Sequence, residues 1–101
     1  MAQWYRVASV GDVGEGAAIA VKAGFAQIAL YKSSGQFYAI DGVCAHKGGP
    51  MGEGFVQDGC ATCPWHGWQY DLQTGACATT PGVKLKSYAV KVEGNEVFVE
   101  V

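Results

Sequence analysis

Two short stretches carry side chains able to do more than pack. One is CPWHGWQYD, Cys63 to Asp71; the other is CAH, Cys44 to His46. The chain has two histidines, and both stand close to a cysteine: Cys44-x-His46, then 16 residues, then Cys63-x2-His66. Three chemistries compete for this pattern. A thiol beside an imidazole is a nucleophile with its base, but such a pair needs an orienting Asn or Asp and leaves Cys44 and His46 without a role. The other two chemistries use both pairs as an S₂N₂ ligand set. A tetrahedral zinc draws all four atoms onto one ion. A [2Fe–2S] cluster spreads them over two irons, two cysteines on one and two histidines on the other. The short spacings suit the cluster, because each loop can then give its sulfur to one iron and its nitrogen to the other.

The neighbouring residues point the same way. The sulfurs of a buried cluster need hydrogen-bond donors, and backbone N–H groups reach them best where side chains are small. His46-Lys47-Gly48-Gly49 and His66-Gly67 provide such backbone, and Pro64 stiffens the second loop. Trp65, Trp68 and Tyr70 would shield the site from water. Cys60 and Cys77 match no ligand position and are expected to be buried free thiols, since free cysteine behaves as a small hydrophobe. Cys60-x2-Cys63 as a redox pair or zinc knuckle is the competing reading.

Composition limits the rest. The chain has 101 residues, which suits one domain over 1–101; half the residues are hydrophobic and 16% are charged. Its 15 glycines form no repeat and so suggest turns and close backbone approaches. Net charge is −2 with no block of like charge, so nucleic acid and anionic membrane are poor partners. The N-terminal MAQWYRVASVGDVGEG has no apolar run suited to a signal peptide or a membrane span. A cytoplasmic protein is expected, in which cysteines serve as ligands or thiols rather than disulfides.

Strands must position the two loops. SYAVKVEGNEVFVEV alternates strictly about Gly94-Asn95 and predicts a hairpin. QIALYKSSGQFYAI predicts a second, turning at Ser33-Ser34-Gly35, and WQYDLQTGACATT a third, turning near Asp71 to Gly75. Short strands are expected at Trp4–Val7 and Ala17–Val21. Glycine interrupts every candidate helix, so the expected class is all-β and antiparallel. Gly42 to Gly59, with six glycines, reads as one long loop of the kind that carries function.

On these motifs the chain resembles a Rieske ferredoxin along nearly its whole length. The family's two boxes stand as CAHKGGPMGEG and CPWHGWQYDLQTG, its proline loop as TTPG, Thr79 to Gly82, and its last hairpin as LKSYAVKVEGNEVFVEV. The resemblance implies a small antiparallel β-sandwich with a loop-rich cluster-binding subdomain over about 42–71, its histidines near the surface. It implies Cys44, His46, Cys63 and His66 as ligands of a [2Fe–2S] cluster. Two ferric ions, two sulfides, two thiolates and two neutral imidazoles sum to zero charge, which eases electron entry; potentials run from roughly −150 to +300 mV, against about −400 mV for all-cysteine ferredoxins. High-potential relatives resemble one another in a disulfide and a sulfur-directed serine. Here those positions hold Gly49, Trp65 and Trp68, while Tyr70 keeps a tyrosine position, so a low-to-intermediate potential is expected. The implied role is an electron carrier rather than an enzyme. It would be a monomer that takes electrons from an NAD(P)H-dependent flavoprotein reductase and passes them to a terminal Rieske oxygenase. A small subunit of a nitrite-reductase-like complex and a zinc-stabilised binding module are the alternatives.

Overall fold

Ile28-Ala29-Leu30-Tyr31 is apolar at every position, and all four residues are buried. In the computed structural model, which describes residues 3–43, 50–65, 67–79 and 82–101, they form the middle of a strand buried on both faces. The strands are β1 (Trp4–Ser9), β2 (Ala18–Ala23), β3 (Ala26–Ser33), β4 (Gln36–Asp41) and β5 (Phe55–Gln57), then β6 (Cys60–Thr62), β7 (Gln69–Asp71), β8 (Ser87–Tyr88), β9 (Val90–Glu93) and β10 (Glu96–Glu100). They pair antiparallel in three sheets, ordered β1-β10-β9, β2-β3-β4-β8 and β5-β6-β7.

Period-two alternation makes the second sheet the shared layer. Ala29 and Tyr31 of β3 and Ile40 of β4 pack into one apolar cluster with Met51, Cys63 and Tyr70. Ile28, Leu30 and Ala39 face the other way and pack with Val13, Val97 and Val99. Each large side chain so buried contributes on the order of 1.5–3 kcal/mol. The all-β sandwich expected from the sequence is therefore present, and β5, β6 and β7 form a third small sheet against it.

Some sequence expectations need correction. Gly42 to Gly59 is not one loop: it contains a 3₁₀ turn at Met51–Glu53 and the strand β5. Asp58 and Gly59, with φ of +54° and +76°, turn β5 into β6, as an Asp-Gly pair between short strands favours. The C-terminal run is not one hairpin arm. Tyr88 pairs with Ala39 in the middle sheet and Val90 with Val99 in the outer one, so the chain changes sheets at Ala89. The third hairpin turns where expected, but its return arm makes only isolated bridges, Tyr70 with Cys77 and Ala76 with Lys84. The hairpins at Ser34-Gly35 and Gly94-Asn95 stand as read. Among the described residues no helix is long and apolar enough to cross a membrane.

The β3–β4 turn carries an acidic brace. The Glu15 carboxylate accepts from the Ser34 N–H at 2.6 Å and the Gly35 N–H at 3.1 Å. These two donors hold its carboxyl below the usual carboxylate range. A depressed folded pKa stabilises above the unfolded value, near 4.3, and that stabilisation is lost as pH falls through the folded one. Glu15→Gln should therefore make the fall in denaturant midpoint shallower between about pH 5 and pH 3, measured against the parent.

Candidate metal centre

The first loop springs from the end of β4, and its base is tied on both sides. Asp41 makes two bonds with the Lys86 backbone: its N–H donates to the Lys86 carbonyl and its side-chain Oδ2 accepts from the Lys86 N–H, each at 2.9 Å. Its Oδ1 accepts from the Tyr88 hydroxyl at 2.8 Å. Partial burial, with this hydrogen bond and the Asp41 charge, pushes the Tyr88 phenol up to about 12. The Gly42 N–H donates to the Gln27 carbonyl at 2.9 Å, and the Gly42 carbonyl accepts from Met51 N–H at 3.0 Å. Val43 and Pro50 then form a bridge that closes the loop. Cys44 and His46, expected as ligands, lie between them, outside the described residues.

The second loop begins at the end of β6 and is closed by two backbone bonds at Cys63. Cys63 N–H donates to the Trp68 carbonyl at 2.9 Å, and Gly67 N–H donates to the Cys63 carbonyl at 3.1 Å. Gly67 has φ of +73°, a backbone state that favours glycine. Burial changes abruptly along this loop. Cys63 is 2% exposed, while Pro64, Trp65 and Gly67 are exposed. His66, the other expected ligand here, lies outside the described residues.

The proline loop is laced to β7. Gln69 N–H donates to Thr79 Oγ1 at 3.0 Å, and Ala78 N–H donates to the Gln69 carbonyl at 2.7 Å. Cys77 N–H donates to the Val83 carbonyl at 2.8 Å and closes the loop. Three loops are thus closed at their bases by backbone bonds, and β5 beside β6 brings the first two together. A Cβ at Gly54 would overlap the Thr62 carbonyl oxygen, so only glycine lets the exit of the first loop lie against the residue before Cys63.

This arrangement fits a buried metal–sulfur group better than a nucleophile. A reactive thiol needs solvent access, and Cys63 is enclosed in the apolar cluster with Met51, Tyr70 and Cys77. A soft thiolate ligand in an apolar surround, with an exposed face on the same loop, fits the cysteine side of a [2Fe–2S] centre. Trp68 and Tyr70 shield this region as expected, but Trp65 does not: it is 55% exposed. Cys77 is buried, whereas Cys60 is only half-buried, because it sits where β6 leaves the Asp58-Gly59 turn. Burial, and then the charges of Asp71 and Asp58, raise the Cys60 thiol and so lower its reactivity. Sequence reasoning missed Tyr31, Asp41, Gly54 and Tyr88. The only signal for them was their position in or near strands that lead to the loops.

The backbone contact at Gly54 gives a direct test. Gly54→Ala must part β5 from β6, at a cost of ~1–3 kcal/mol or more. Its denaturant midpoint should fall, and its metal content after reconstitution should fall further than that of a core variant of equal stability.

Comparison with known proteins identifies the family. The family profile for the Rieske [2Fe-2S] domain matches residues 3–89. The ferredoxin component of the naphthalene 1,2-dioxygenase/salicylate 5-hydroxylase systems of Ralstonia sp is 35% identical over 99 residues, covering 97% of this chain and 95% of that protein. A ferredoxin from a solved complex of reduced oxygenase and oxidised ferredoxin in carbazole 1,9a-dioxygenase matches with a TM-score of 0.84 at 33% identity, covering 95% of this chain and 91% of that one. The small subunit of an NADH-dependent nitrite reductase from Mycobacterium tuberculosis superposes with a TM-score of 0.92 over 100% of this chain and 96% of that one; its identity is 21%, so it speaks for the fold alone. This chain belongs to the Rieske [2Fe–2S] domain family, and a [2Fe–2S] cluster is its cofactor.

Proposed function

We propose that the chain is a one-electron carrier, a single Rieske domain over 1–101 whose cluster is held by Cys44, His46, Cys63 and His66. When bound, the cluster accepts and releases one electron at a time. The protein does the rest. Cys63, Met51 and Tyr70 form a dry wall on the sulfur side. Pro64, Trp65 and Gly67, close to His66 in sequence, are exposed, so a partner docked on them would meet this loop directly. The abrupt step from a buried Cys63 to an exposed Trp65 is the observation that carries this reading.

The donor is an NAD(P)H-dependent flavoprotein reductase and the acceptor a terminal Rieske oxygenase. Support comes from the near full-length match to a dioxygenase ferredoxin component and from the likeness to a ferredoxin solved with its oxygenase. The carrier acts as a cytoplasmic monomer. Docking is weak and transient, through an interface below roughly 1,200 Å² as in other electron-transfer encounters. The second reading is a tightly held subunit; purification only in a fixed complex would select it.

Voltammetry of the purified protein tests the carrier reading. A reversible one-electron wave toward the lower end of the histidine-ligated range, roughly −150 mV, is expected. No wave would return zinc to the front. His66→Cys replaces a neutral ligand with a thiolate, so the potential of any cluster retained should fall; an unchanged wave removes His66 from the ligand set. Trp65→Ala should leave the potential in place. It should weaken the concentration dependence of electron transfer to the oxygenase roughly tenfold, as loss of an interface hot spot does.

A further inference from the structure

We propose that Tyr31 is a positioning residue for the first ligand loop, acting through the backbone carbonyl of Met51 rather than by touching the cluster. The inference rests on the assignment of Cys44 and His46 as ligands. Tyr31 sits in the middle of β3 and is fully buried. Its hydroxyl donates to the Met51 carbonyl at 2.9 Å. The same carbonyl accepts from the Gly54 N–H at 3.0 Å, and the Met51 N–H reaches the Gly42 carbonyl at 3.0 Å. Met51 is thus tied to β3 by a side chain, to the exit of β4 by its amide, and to the start of β5 by its carbonyl. It stands one residue past Pro50, where the first loop closes.

Position decides why this bond matters. Another side-chain tie at the loop base, Tyr88 to Asp41, lies at a half-buried edge where water can replace a lost hydroxyl. Met51 is fully buried, so water cannot take the place of the Tyr31 hydroxyl: its carbonyl keeps the Gly54 N–H but loses its tie to β3. The consequence reaches the second loop. The 3₁₀ turn Met51–Glu53 is capped by Gly54, which lies against the Thr62 carbonyl, one residue before Cys63. If Met51 moves on β3, the spacing between the exit of one ligand loop and the cysteine of the other changes. N–H···S geometry and enclosure tune an iron–sulfur site, so that spacing should be read in its spectrum.

Tyr31→Phe removes the hydroxyl and keeps the ring. Val99→Ala, on β10 in the other apolar cluster, lowers stability without touching either loop. Tyr88→Phe tests the wet end. Three readings are compared at matched global stability: amide exchange at Met51 and Gly54 in the protein as purified, iron release to a chelator, and the g-values of the reduced holoprotein by electron paramagnetic resonance. Tyr31→Phe should speed exchange at both amides, and iron release, roughly tenfold, the factor that corresponds to ~1.4 kcal/mol, and should shift the g-values. Tyr88→Phe should do less, and Val99→Ala should change neither local exchange nor g-values. Tyr31→Phe that matches Val99→Ala in all three overturns the inference. In the parent, the Met51 and Gly54 amides should exchange only with global unfolding. Faster local exchange overturns the inference even if Tyr31→Phe fails to fold. A parent that holds no iron after reconstitution removes the ligand assignment, and the exchange comparison still decides the Met51 tie.

Discussion

Burial of β3 on both faces is the constraint from which the other layers follow. Ile28 and Leu30 anchor the sheet built from the two ends of the chain, while Ala29 and Tyr31 anchor the loops between β4 and β8. A strand in that position has no solvent face on which to place a polar residue, so Ile28 to Tyr31 must all be apolar or, like Tyr31, give the polar atom a partner. The Tyr31 hydroxyl meets this condition through the Met51 carbonyl. The same side chain therefore belongs to the core by its ring and to the loop frame by its oxygen.

The loop frame shows how a small protein holds irregular backbone steady. Short loops that carry ligands cannot build cores of their own. Here they are closed at the base by backbone bonds: Met51 to Gly42, Cys63 to Trp68, Cys77 to Val83. The three-stranded sheet β5-β6-β7 lies against the middle sheet through Met51, Ala61 and Tyr70. Its interior is packed, and its rim at Pro64, Trp65 and Gly67 is open to solvent. An electron carrier needs both properties: a dry interior that sets the energy of the added electron, and a short distance from the site to a partner.

The hairpins at Ser34-Gly35 and Gly94-Asn95 were legible because a two-residue turn between alternating strands is a local signal. The Asp58-Gly59 turn carried the same signal and was obscured by the glycines around it, since β5 and β6 have three residues each and show too little alternation to register. The split of the C-terminal run at Ala89 could not be read locally. Its alternation continues unbroken from Tyr88 to Val92, and only the positions of β4 and β10 assign the two halves to different sheets.

The sequence by itself set out the candidate chemistry of the site. Cysteine and histidine are side chains suited to bind iron, and their spacing within each loop is covalent, so the pattern was visible before any fold. It also determined the all-β class, through period-two patterning and turn residues. The tertiary structure decided what no spacing encodes: that Cys63 is enclosed while Trp65 is exposed, that Gly54 lies against Thr62, and that Tyr31, twenty residues from Met51, supplies the hydrogen bond to its carbonyl. These are contacts between segments distant along the chain. Their partners are chosen by packing in three dimensions, and a hydroxyl on a buried strand looks the same in sequence whether or not it meets one.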